Sequence, residues 1–260
     1  MLIAQLSDPH VVAPGTLLYG SIDTGALFAA AIRRIAGLAP APDLVVVSGD
    51  LVNEGSPQEY ARVRALLGPL QMPWQVMAGN HDDREQLEAA FPGQGFGNGG
   101  LCCAKRTMGN LSLLFLDTTI PGEEGGEIAE AQLAWLDEAC DPLRATLLFL
   151  HHPPFATGIA GLDAIACRGA DRLAEWLTVH CEVRALACGH VHRPMFTSFA
   201  GRPCVTAPSI AHQIVCDLSG RPDALAWCRE PPGFLLHRWQ DGELVSHVLP
   251  IDESPAVPYD

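Results

Sequence analysis

Histidine, aspartate and asparagine recur at five points of the chain, each time just past a short apolar run. In chain order, the groups are Asp8 with His10, Asp50, Asn80 with His81, His151 with His152, and His190 with His192. Carboxylate, amide and imidazole donors without a thiolate are typical ligands of Fe, Mn, Co or Zn in catalytic sites rather than of structural zinc. One such group alone is typical of a turn or a hydrogen-bonded structural residue, but turn chemistry does not explain five in succession. The pattern therefore predicts a metal site.

The apolar runs in front of these groups predict strands buried on both faces, because the runs are short and uninterrupted. The predicted strands are Leu2–Leu6, Leu44–Val47, Trp74–Met77, Thr146–Leu150 and Val183–Ala187, together with Leu111–Leu116, which none of the five polar groups follows. Helices are predicted at Asp23–Leu38, after the capping signal Ser56-Pro57-Gln58-Glu59, and at Asp83–Phe91, Ala129–Cys140 and Ala170–Val179. This alternation indicates a parallel α/β sheet, which binds ligands at the carboxyl ends of its strands. Residues i and i+2 of an extended segment share a side, so both members of each Asp-x-His or His-x-His pair are expected to reach one cluster.

The C-terminal part changes character after His192. Short strand-like runs alternate with turn signals, and Asp241-Gly242 predicts a hairpin between Leu235–Trp239 and Leu244–Leu249. We therefore expect a metal-binding core in residues 1–192 and a β-rich segment in residues 193–250. That segment is expected to complete the core and to form a cap and a subunit contact, followed by a tail in residues 251–260.

Charge and composition restrict the partners. The 260 residues contain 16 Lys and Arg against 30 Asp and Glu, a formal charge of −14, which disfavours nucleic acid polymers and anionic membranes. The apolar runs are also too short to span a bilayer. The chain starts without the features of a signal peptide, and its nine cysteines are scattered with no C-x-x-C pair, a pattern typical of reduced thiols in the cytoplasm.

Together the polar groups resemble the motifs of the calcineurin-like metallophosphoesterases. The matching segments are Asp8-Pro9-His10, Gly49-Asp50, Gly79-Asn80-His81-Asp82, His151-His152-Pro153-Pro154 and Gly189-His190-Val191-His192, which span residues 1–192 in motif order. Within the family the chain looks most like bacterial cyclic-nucleotide and glycerophosphodiester phosphodiesterases, through the segments 50–53, 207–213 and 231–237. The resemblance implies an α/β fold, a layered α/β/β/α sandwich with helices outside two central sheets, with a small C-terminal β-rich cap.

The resemblance also implies a site with two divalent or trivalent transition-metal ions, Fe, Mn, Zn or Co. Carried over by motif, the ligands of one ion would be Asp8, His10 and His192, those of the other Asn80, His151 and His190, with Asp50 bridging both. Two metals about 3.5–4 Å apart clamp a phosphate and lower the pKa of a bridging water, whose hydroxide form attacks phosphorus.

His81 resembles the phosphate-side histidine of the family. It would stabilise charge on the phosphoryl group or protonate the leaving oxygen, and the alternative is a hydrogen bond that orients Asp8. The predicted catalytic residues are Asp50 and His81, and the predicted substrate-binding residues are Asn53, Asn80, His81 and His212. Two neighbours are expected to be structural: His152, which should point away from His151, and Asp82, which should cap the following helix.

The sequence thus predicts a metal-dependent phosphodiesterase that acts on a small diester, either a 3′,5′-cyclic nucleotide such as cyclic AMP or a glycerophosphodiester. A diester is favoured because the motifs contain no Arg or Lys for the extra charge of a monoester, the nearest cation in sequence being Arg193. The alternatives are a phosphomonoesterase or phosphoprotein phosphatase, and a non-catalytic interaction subunit, which is disfavoured because every ligand position is filled. We expect a homodimer or a higher homo-oligomer.

Overall fold

A computed structural model describes residues 1–97 and 100–258 of the chain. In chain order, the strands are β1 Leu2–Leu6, β2 Leu44–Val47, β3 Trp74–Val76, β4 Ala104–Met108, β5 Leu111–Leu116, β6 Ala145–Leu150, β7 Val183–Cys188, β8 Met195–Phe199, β9 Arg202–Thr206, β10 Gln213–Ile214, β11 Trp227–Cys228, β12 Gly233–Gln240 and β13 Glu243–Pro250. The α-helices are α1 Thr24–Ala36, α2 Pro57–Leu67, α3 Arg84–Ala90, α4 Glu130–Ala139, α5 Ala160–Asp163 and α6 Ala170–Val179, and a 3₁₀ turn covers Pro222–Ala224. Within the part of the chain that the structure describes, no helix has the length and apolar character needed to cross a membrane.

Two sheets carry the fold. One has the strand order β13-β12-β1-β2-β3, in which β1, β2 and β3 are parallel, and the other has the order β4-β5-β6-β7-β9-β8, in which β5, β6, β7 and β9 are parallel. The parallel strands end level with one another, because Leu6 pairs with Val47 and Val47 pairs with Val76. The loops that follow β1, β2 and β3 therefore start at the same edge of the first sheet, and those after β6 and β7 start at the matching edge of the second.

Three apolar layers hold the sheets and helices together. The inner faces of the two sheets pack on each other through residues such as Val46, Phe115 and Phe149, all buried. Helices α1, α2 and α3 cover the outer face of the first sheet, with Phe28 of α1 among the buried residues, and α4 and α6 cover the second. Burying each large apolar side chain contributes about 1.5–3 kcal/mol. The α/β/β/α sandwich predicted from the sequence is confirmed.

Most predicted elements occur where the sequence placed them. β1, β2, β5 and α6 have the predicted bounds, and α2 begins with the predicted capping box, in which the Ser56 hydroxyl accepts from the Glu59 amide and the Glu59 carboxylate accepts from the Ser56 amide. The Asp241-Gly242 hairpin also forms, as β12 and β13. Two elements were not predicted from the sequence: β4, whose two charged residues interrupt the apolar pattern, and the short helix α5.

Residues 193–250 contribute to both sheets. β8 and β9 extend the second sheet. β12 and β13 extend the first, where β12 pairs antiparallel with β1 and β13 pairs antiparallel with β12. Of the described strands in this segment, β10 and β11 alone lie outside the two main sheets, as a small two-stranded sheet. The last two residues of the predicted tail, 259–260, lie outside the described residues.

Candidate metal centre

Left-handed backbone turns carry most of the predicted ligands. The φ angles of Asp8, His10, Asp50, His190 and His192 are 51°, 41°, 49°, 67° and 50°. Such angles are uncommon for residues other than glycine, and residues held there cost on the order of 1–3 kcal/mol and cluster at functional sites. The two members of each i, i+2 pair do converge, but the predicted cause, an extended chain, is wrong. The pairs converge because each sits in a tight turn just past the end of its strand.

The turns after β1, β2 and β7 bring together the donors of Asp8, His10, Asp50 and His192. All four residues are buried, and one donor atom from each lies within 4.8 Å of the others. The Nε2 atoms of His10 and His192 are 3.1 Å apart. His10 Nε2 lies 3.5 Å from Asp50 Oδ2, and His192 Nε2 lies 3.4 Å from Asp8 Oδ1.

A second group forms around the side-chain oxygen of Asn80. This Oδ1 atom lies 3.2 Å from His151 Nε2 and 3.1 Å from His190 Nδ1. His151 Nε2 is also 3.5 Å from Asp50 Oδ2, which is the same distance that separates this carboxylate oxygen from His10. The Asp50 carboxylate therefore lies between the two groups.

Backbone hydrogen bonds fix the orientation of the imidazole rings. His151 Nδ1 is 2.8 Å from the carbonyl oxygen of Ser48, and His192 Nδ1 is 2.9 Å from the carbonyl oxygen of His212. In both rings this leaves Nε2 directed at the cluster. Metal-binding histidines commonly have the second ring nitrogen held in this way, which sets both the tautomer and the direction of the ring.

Electrostatics favour a cation at this position. Burial acts to raise the pKa of Asp8 and of Asp50, but the nearby histidines outweigh it, so both carboxyl pKa values are lowered and the groups are ionised. Burial also lowers the pKa of His10 and of His190 well below the usual value, so these imidazoles are neutral donors. Burial opposes a proton on His151, yet the Asp50 charge raises its pKa to about 9. Two ionised carboxylates buried next to each other need positive charge beside them, which metal ions supply.

The glycines of the motifs allow this close approach. A Cβ atom on Gly49 would lie 2.2 Å from His151 Nδ1, and one on Gly79 would lie 2.2 Å from the backbone nitrogen of Asp50. Any side chain at either position would push a predicted ligand out of place.

Gln5, which was not predicted from the sequence, joins the two sheets beneath the cluster. Its Nε2 donates to Ser48 Oγ on the β2 side at 2.8 Å and to the carbonyl of Cys188 at the end of β7 at 3.0 Å. Its Oε1 lies 2.9 Å from His237 Nε2 on β12. Gln5 is fully buried, so a polar residue inside the apolar run Leu2–Leu6 was the available signal.

His81 stands beside the cluster with one ring nitrogen engaged. Its Nδ1 lies 2.9 Å from the backbone carbonyl of Asn53, and its backbone amide donates to Asp50 Oδ1 at 2.9 Å. The Asn53 amide itself donates to Glu54. The ring thus bonds to Asn53 and not to Asp8, unlike the alternative considered from the sequence. Burial lowers the pKa of His81, but the Asp50 charge and the Asn53 carbonyl outweigh it, and the pKa is raised.

His152 and Asp82 both have structural partners. His152 Nδ1 lies 2.8 Å from Thr118 Oγ1 and Nε2 lies 3.2 Å from the carbonyl of Glu124, so both nitrogens are engaged although the ring lies beside that of His151. The sequence predicted that the His152 ring points away from His151, but the ring lies beside it. The two engaged nitrogens agree with the predicted structural role.

The prediction that Asp82 caps the next helix is wrong. Asp83 caps α3 by accepting from the Gln86 amide, because it is the residue directly before the first turn. Asp82 instead accepts from the amides of Gly79 and Leu51 and from the hydroxyl of Tyr60, and so braces the turn that carries Asn80.

An aromatic wall, defined as Tyr19, His212 and Trp227, borders the cluster on the side of the small sheet. The Tyr19 and Trp227 rings stack with centroids 5.3 Å apart, and the His212 ring lies 5.4 Å from that of Tyr19 and 4.5 Å from that of His192. Burial lowers the pKa of His212 to about 3, so this ring is neutral. Nothing in the sequence pattern distinguished Tyr19 or Trp227.

A cavity of about 560 Å³ borders the cluster on the side of Asn80 and His81. Its lining includes the carboxylates of Glu54, Glu85 and Glu88 and one guanidinium, that of Arg84. Arg84 is engaged by buried Asp117 at 2.7 Å and by the carbonyl of Thr119 at 2.7 Å. Arg193, the cation next to the last motif, is likewise engaged by the carbonyl of Ile214 at 2.6 Å and by Glu230 at 3.1 Å.

Comparisons with known proteins agree with this geometry. The sequence model of the calcineurin-like phosphoesterase family matches residues 1–194. A glycerophosphodiester phosphodiesterase of Enterobacter lignolyticus is 34% identical over 95% of this chain and 90% of its own, and a 3′,5′-cyclic adenosine monophosphate phosphodiesterase of Pseudomonas aeruginosa is 31% identical over 97% and 91%. A dimetal phosphatase from Danio rerio has the same fold, with a TM-score of 0.71 at 14% identity over 97% of both chains. The chain therefore belongs to the calcineurin-like phosphoesterase family.

Proposed function

We propose that this protein is a metal-dependent phosphodiesterase that hydrolyses a small phosphodiester, either a 3′,5′-cyclic nucleotide such as cyclic AMP or a glycerophosphodiester. The observation that carries the proposal is the cluster itself, in which two ionised carboxylates and two imidazoles converge in left-handed turns, with one donor atom from each within 4.8 Å of the others. The named activities of the related bacterial phosphodiesterases, which align over nearly the whole chain, support the same class.

The donor groups suit two metal ions of the Fe, Mn, Zn or Co type. Asp8, His10 and His192 would hold one ion, Asn80, His151 and His190 would hold the other, and Asp50 would bridge them; this ligand set is a proposal supported by the distances above. When bound, the ions would supply a strong nucleophile from water at neutral pH and polarise the phosphoryl oxygens.

His81 would hold and deliver a proton at its Nε2 atom. Its Nδ1 is fixed on the Asn53 carbonyl, and the raised pKa favours the protonated ring near neutral pH. A proton at Nε2 would stabilise the phosphoryl charge or transfer to the leaving alkoxide. Asn53 then acts through its carbonyl, by positioning His81, and Asn80 would contribute at the phosphate as well as at the metal.

The charges around the cluster favour a diester over a monoester. A monoester carries about two negative charges and needs cationic partners beyond the metals. The two guanidiniums next to the cluster, Arg84 and Arg193, are engaged by Asp117 and Glu230, and the His212 ring is neutral. The second organic arm of a diester has space on either side, against the aromatic wall or in the cavity beside His81.

The aromatic wall provides an observation that separates the two diesters. Stacked rings of Tyr19 and Trp227 match the planar base of a cyclic nucleotide, since aromatic stacking contributes about 0.5–1.5 kcal/mol beyond buried area. Trp227→Ala should therefore lower kcat/KM for cyclic AMP by about threefold to tenfold and leave a glycerophosphodiester unaffected if the nucleotide is the substrate that uses this wall. Equal losses of kcat/KM for the two substrates would indicate that the wall encloses the site without recognising the base.

The test of the reaction class uses a matched aryl diester and aryl monoester at neutral pH with added Mn²⁺. We expect kcat/KM for the diester to exceed that for the monoester by at least about tenfold, which is roughly 1.4 kcal/mol of transition-state stabilisation. A clear preference for the monoester would assign the protein to the phosphomonoesterases instead.

We also propose that the chain works as a homodimer or a higher homo-oligomer in the cytoplasm. Exposed apolar side chains on the segment 193–250, among them Phe196, Leu218 and Val245, support a subunit contact there. The nine cysteines are all unpaired thiols, which supports a reducing compartment. Sedimentation of a compact monomer at micromolar concentration would overturn the assembly.

A further inference from the structure

A further group of side chains that can bind a metal, separate from the candidate centre around Asp50, lies where helices α4 and α6 end. Cys140 is the residue at which α4 stops, and His180 is the residue at which α6 stops. Glu182 follows two residues later, directly before β7. His190, a candidate ligand of the metal centre, follows the opposite end of β7, and the six residues of this strand span about 20 Å. The group therefore lies at the other edge of the second sheet and does not depend on the proposed function.

The three donor atoms converge on one point. Cys140 Sγ lies 3.2 Å from Glu182 Oε1, and His180 Nδ1 lies 2.9 Å from the same oxygen. One donor from each of the three lies within 4.8 Å of the others. With Zn–S near 2.3 Å and Zn–N and Zn–O near 2.1 Å, tetrahedral ligands of zinc are separated by about 3.4–3.6 Å. The Cys140–Glu182 and His180–Glu182 pairs need to spread by only about half an ångström to reach that spacing, and the donors of Cys140 and His180 lie within 4.8 Å of each other.

The surroundings fix the imidazole in a direction that suits a metal. The other ring nitrogen of His180, Nε2, faces Asp137 Oδ1 at 3.7 Å, and the Trp176 indole donates to the same carboxylate oxygen at 2.6 Å. The indole ring also stacks on the imidazole with centroids 3.7 Å apart. A carboxylate behind a histidine, with the ring held in place, is the usual support of a zinc-binding imidazole.

We propose that Cys140, His180 and Glu182 bind one Zn²⁺ ion, with water as the fourth ligand, and that this ion ties the ends of α4 and α6 together. Cysteine, histidine and glutamate form a donor set that zinc accepts with high affinity. Binding releases the thiol proton to solvent, since the thiolate is the form that ligates. Burial and the neighbouring Glu182 raise the pKa of the Cys140 thiol to about 12, so this release makes the affinity depend on pH.

Cobalt(II) bound at this site can be detected separately from cobalt(II) bound at the centre around Asp50. A thiolate bound to Co²⁺ produces a charge-transfer band in the near ultraviolet, whereas the candidate centre around Asp50 contains no thiolate. We expect this band when Co²⁺ is added to the full-length wild-type protein, and we expect no band in Cys140→Ser. Once the centre around Asp50 is filled, one equivalent of Zn²⁺ should displace the thiolate-bound Co²⁺ and remove the band. The matched control is Cys181→Ser, because Cys181 adjoins His180 in sequence but is exposed and outside the group.

Zinc should also stabilise the fold through this site. With the centre around Asp50 already saturated with Mn²⁺, further Zn²⁺ should raise the melting temperature by about 5 °C in the wild type and in Cys181→Ser, but not in Cys140→Ser or His180→Gln. A far-ultraviolet circular dichroism spectrum equal to that of the wild type would show that Cys140→Ser is folded. Persistence of the cobalt band in Cys140→Ser, or its absence in the wild type at millimolar Co²⁺, would overturn the proposal and leave the three side chains as a hydrogen-bonded cluster.

Discussion

Replacement of Gln5 tests whether the contact between the two sheets stabilises the fold beneath the metal centre. Gln5→Met keeps the shape and approximate volume of the side chain but removes its three hydrogen bonds, to Ser48, Cys188 and His237. Since Ser48 Oγ also bonds to Ser7 and the Cys188 carbonyl also accepts from Ala207, these two partners remain paired. His237 Nε2 does not have a second partner among the described residues.

The expected loss of stability follows from that difference. Three hydrogen bonds contribute about 1 kcal/mol each, and a buried group left without a partner adds a similar penalty, so we expect the free energy of unfolding to fall by about 3–4 kcal/mol. Urea denaturation followed by tryptophan fluorescence measures it, in the presence of a chelator so that metal binding does not contribute. Gln71→Met is the matched control, because Gln71 is exposed and should change the stability by less than about 0.5 kcal/mol. A loss below about 1 kcal/mol in Gln5→Met would refute the role given to this residue.

Three further predictions concern the candidate centre and its surroundings. His81→Gln should keep both metals but lower kcat by about 10²–10⁴-fold, with a smaller loss for a substrate that has a good leaving group, and equal losses across leaving groups would contradict proton transfer at Nε2. Gly79→Ala should lower the Mn²⁺ content measured by elemental analysis, because its Cβ would lie 2.2 Å from the Asp50 nitrogen, whereas Gly201→Ala, with no atom within 4 Å of the new Cβ, should bind Mn²⁺ normally. Burial lowers the pKa of His237 to about 4 in the folded state, so the unfolded chain takes up the proton first and stability falls as the pH drops from about 6.5 to 4. The His237→Gln variant lacks this titration, so its free energy of unfolding should fall by about 3 kcal/mol less than that of the wild type over this pH range. The same pH dependence in both proteins would contradict the lowered pKa of His237.

The residue types of the candidate centre could be read from the sequence, and the backbone that assembles them could not. Asp8 and His10 stood out because they follow an apolar run directly. Their left-handed φ angles follow from packing against the loop after β2, where the His10 amide donates to the Asp50 carbonyl, and such a tertiary contact leaves no periodic signal.

The fold shows the same division. Buried parallel strands such as β1 and β2 were predictable because each is an unbroken apolar run, whereas edge strands are half exposed and mix charge with apolar residues. β4 contains Lys105 and Arg106, and so its sequence lacks the expected pattern. Tyr19 and Trp227 meet only because the small sheet folds back toward the loop after β1, a contact between residues about 200 positions apart.

The most direct test of the central claim is the Mn²⁺ content of the purified protein together with its diesterase activity. We predict two Mn²⁺ ions per chain in the wild type and in Asp252→Ala, an exposed control. Asp50→Ala should lose both metal and activity, because its carboxylate lies 3.5 Å from donors of both groups. A well-folded protein that hydrolyses the aryl diester at the full rate without bound metal would contradict the account.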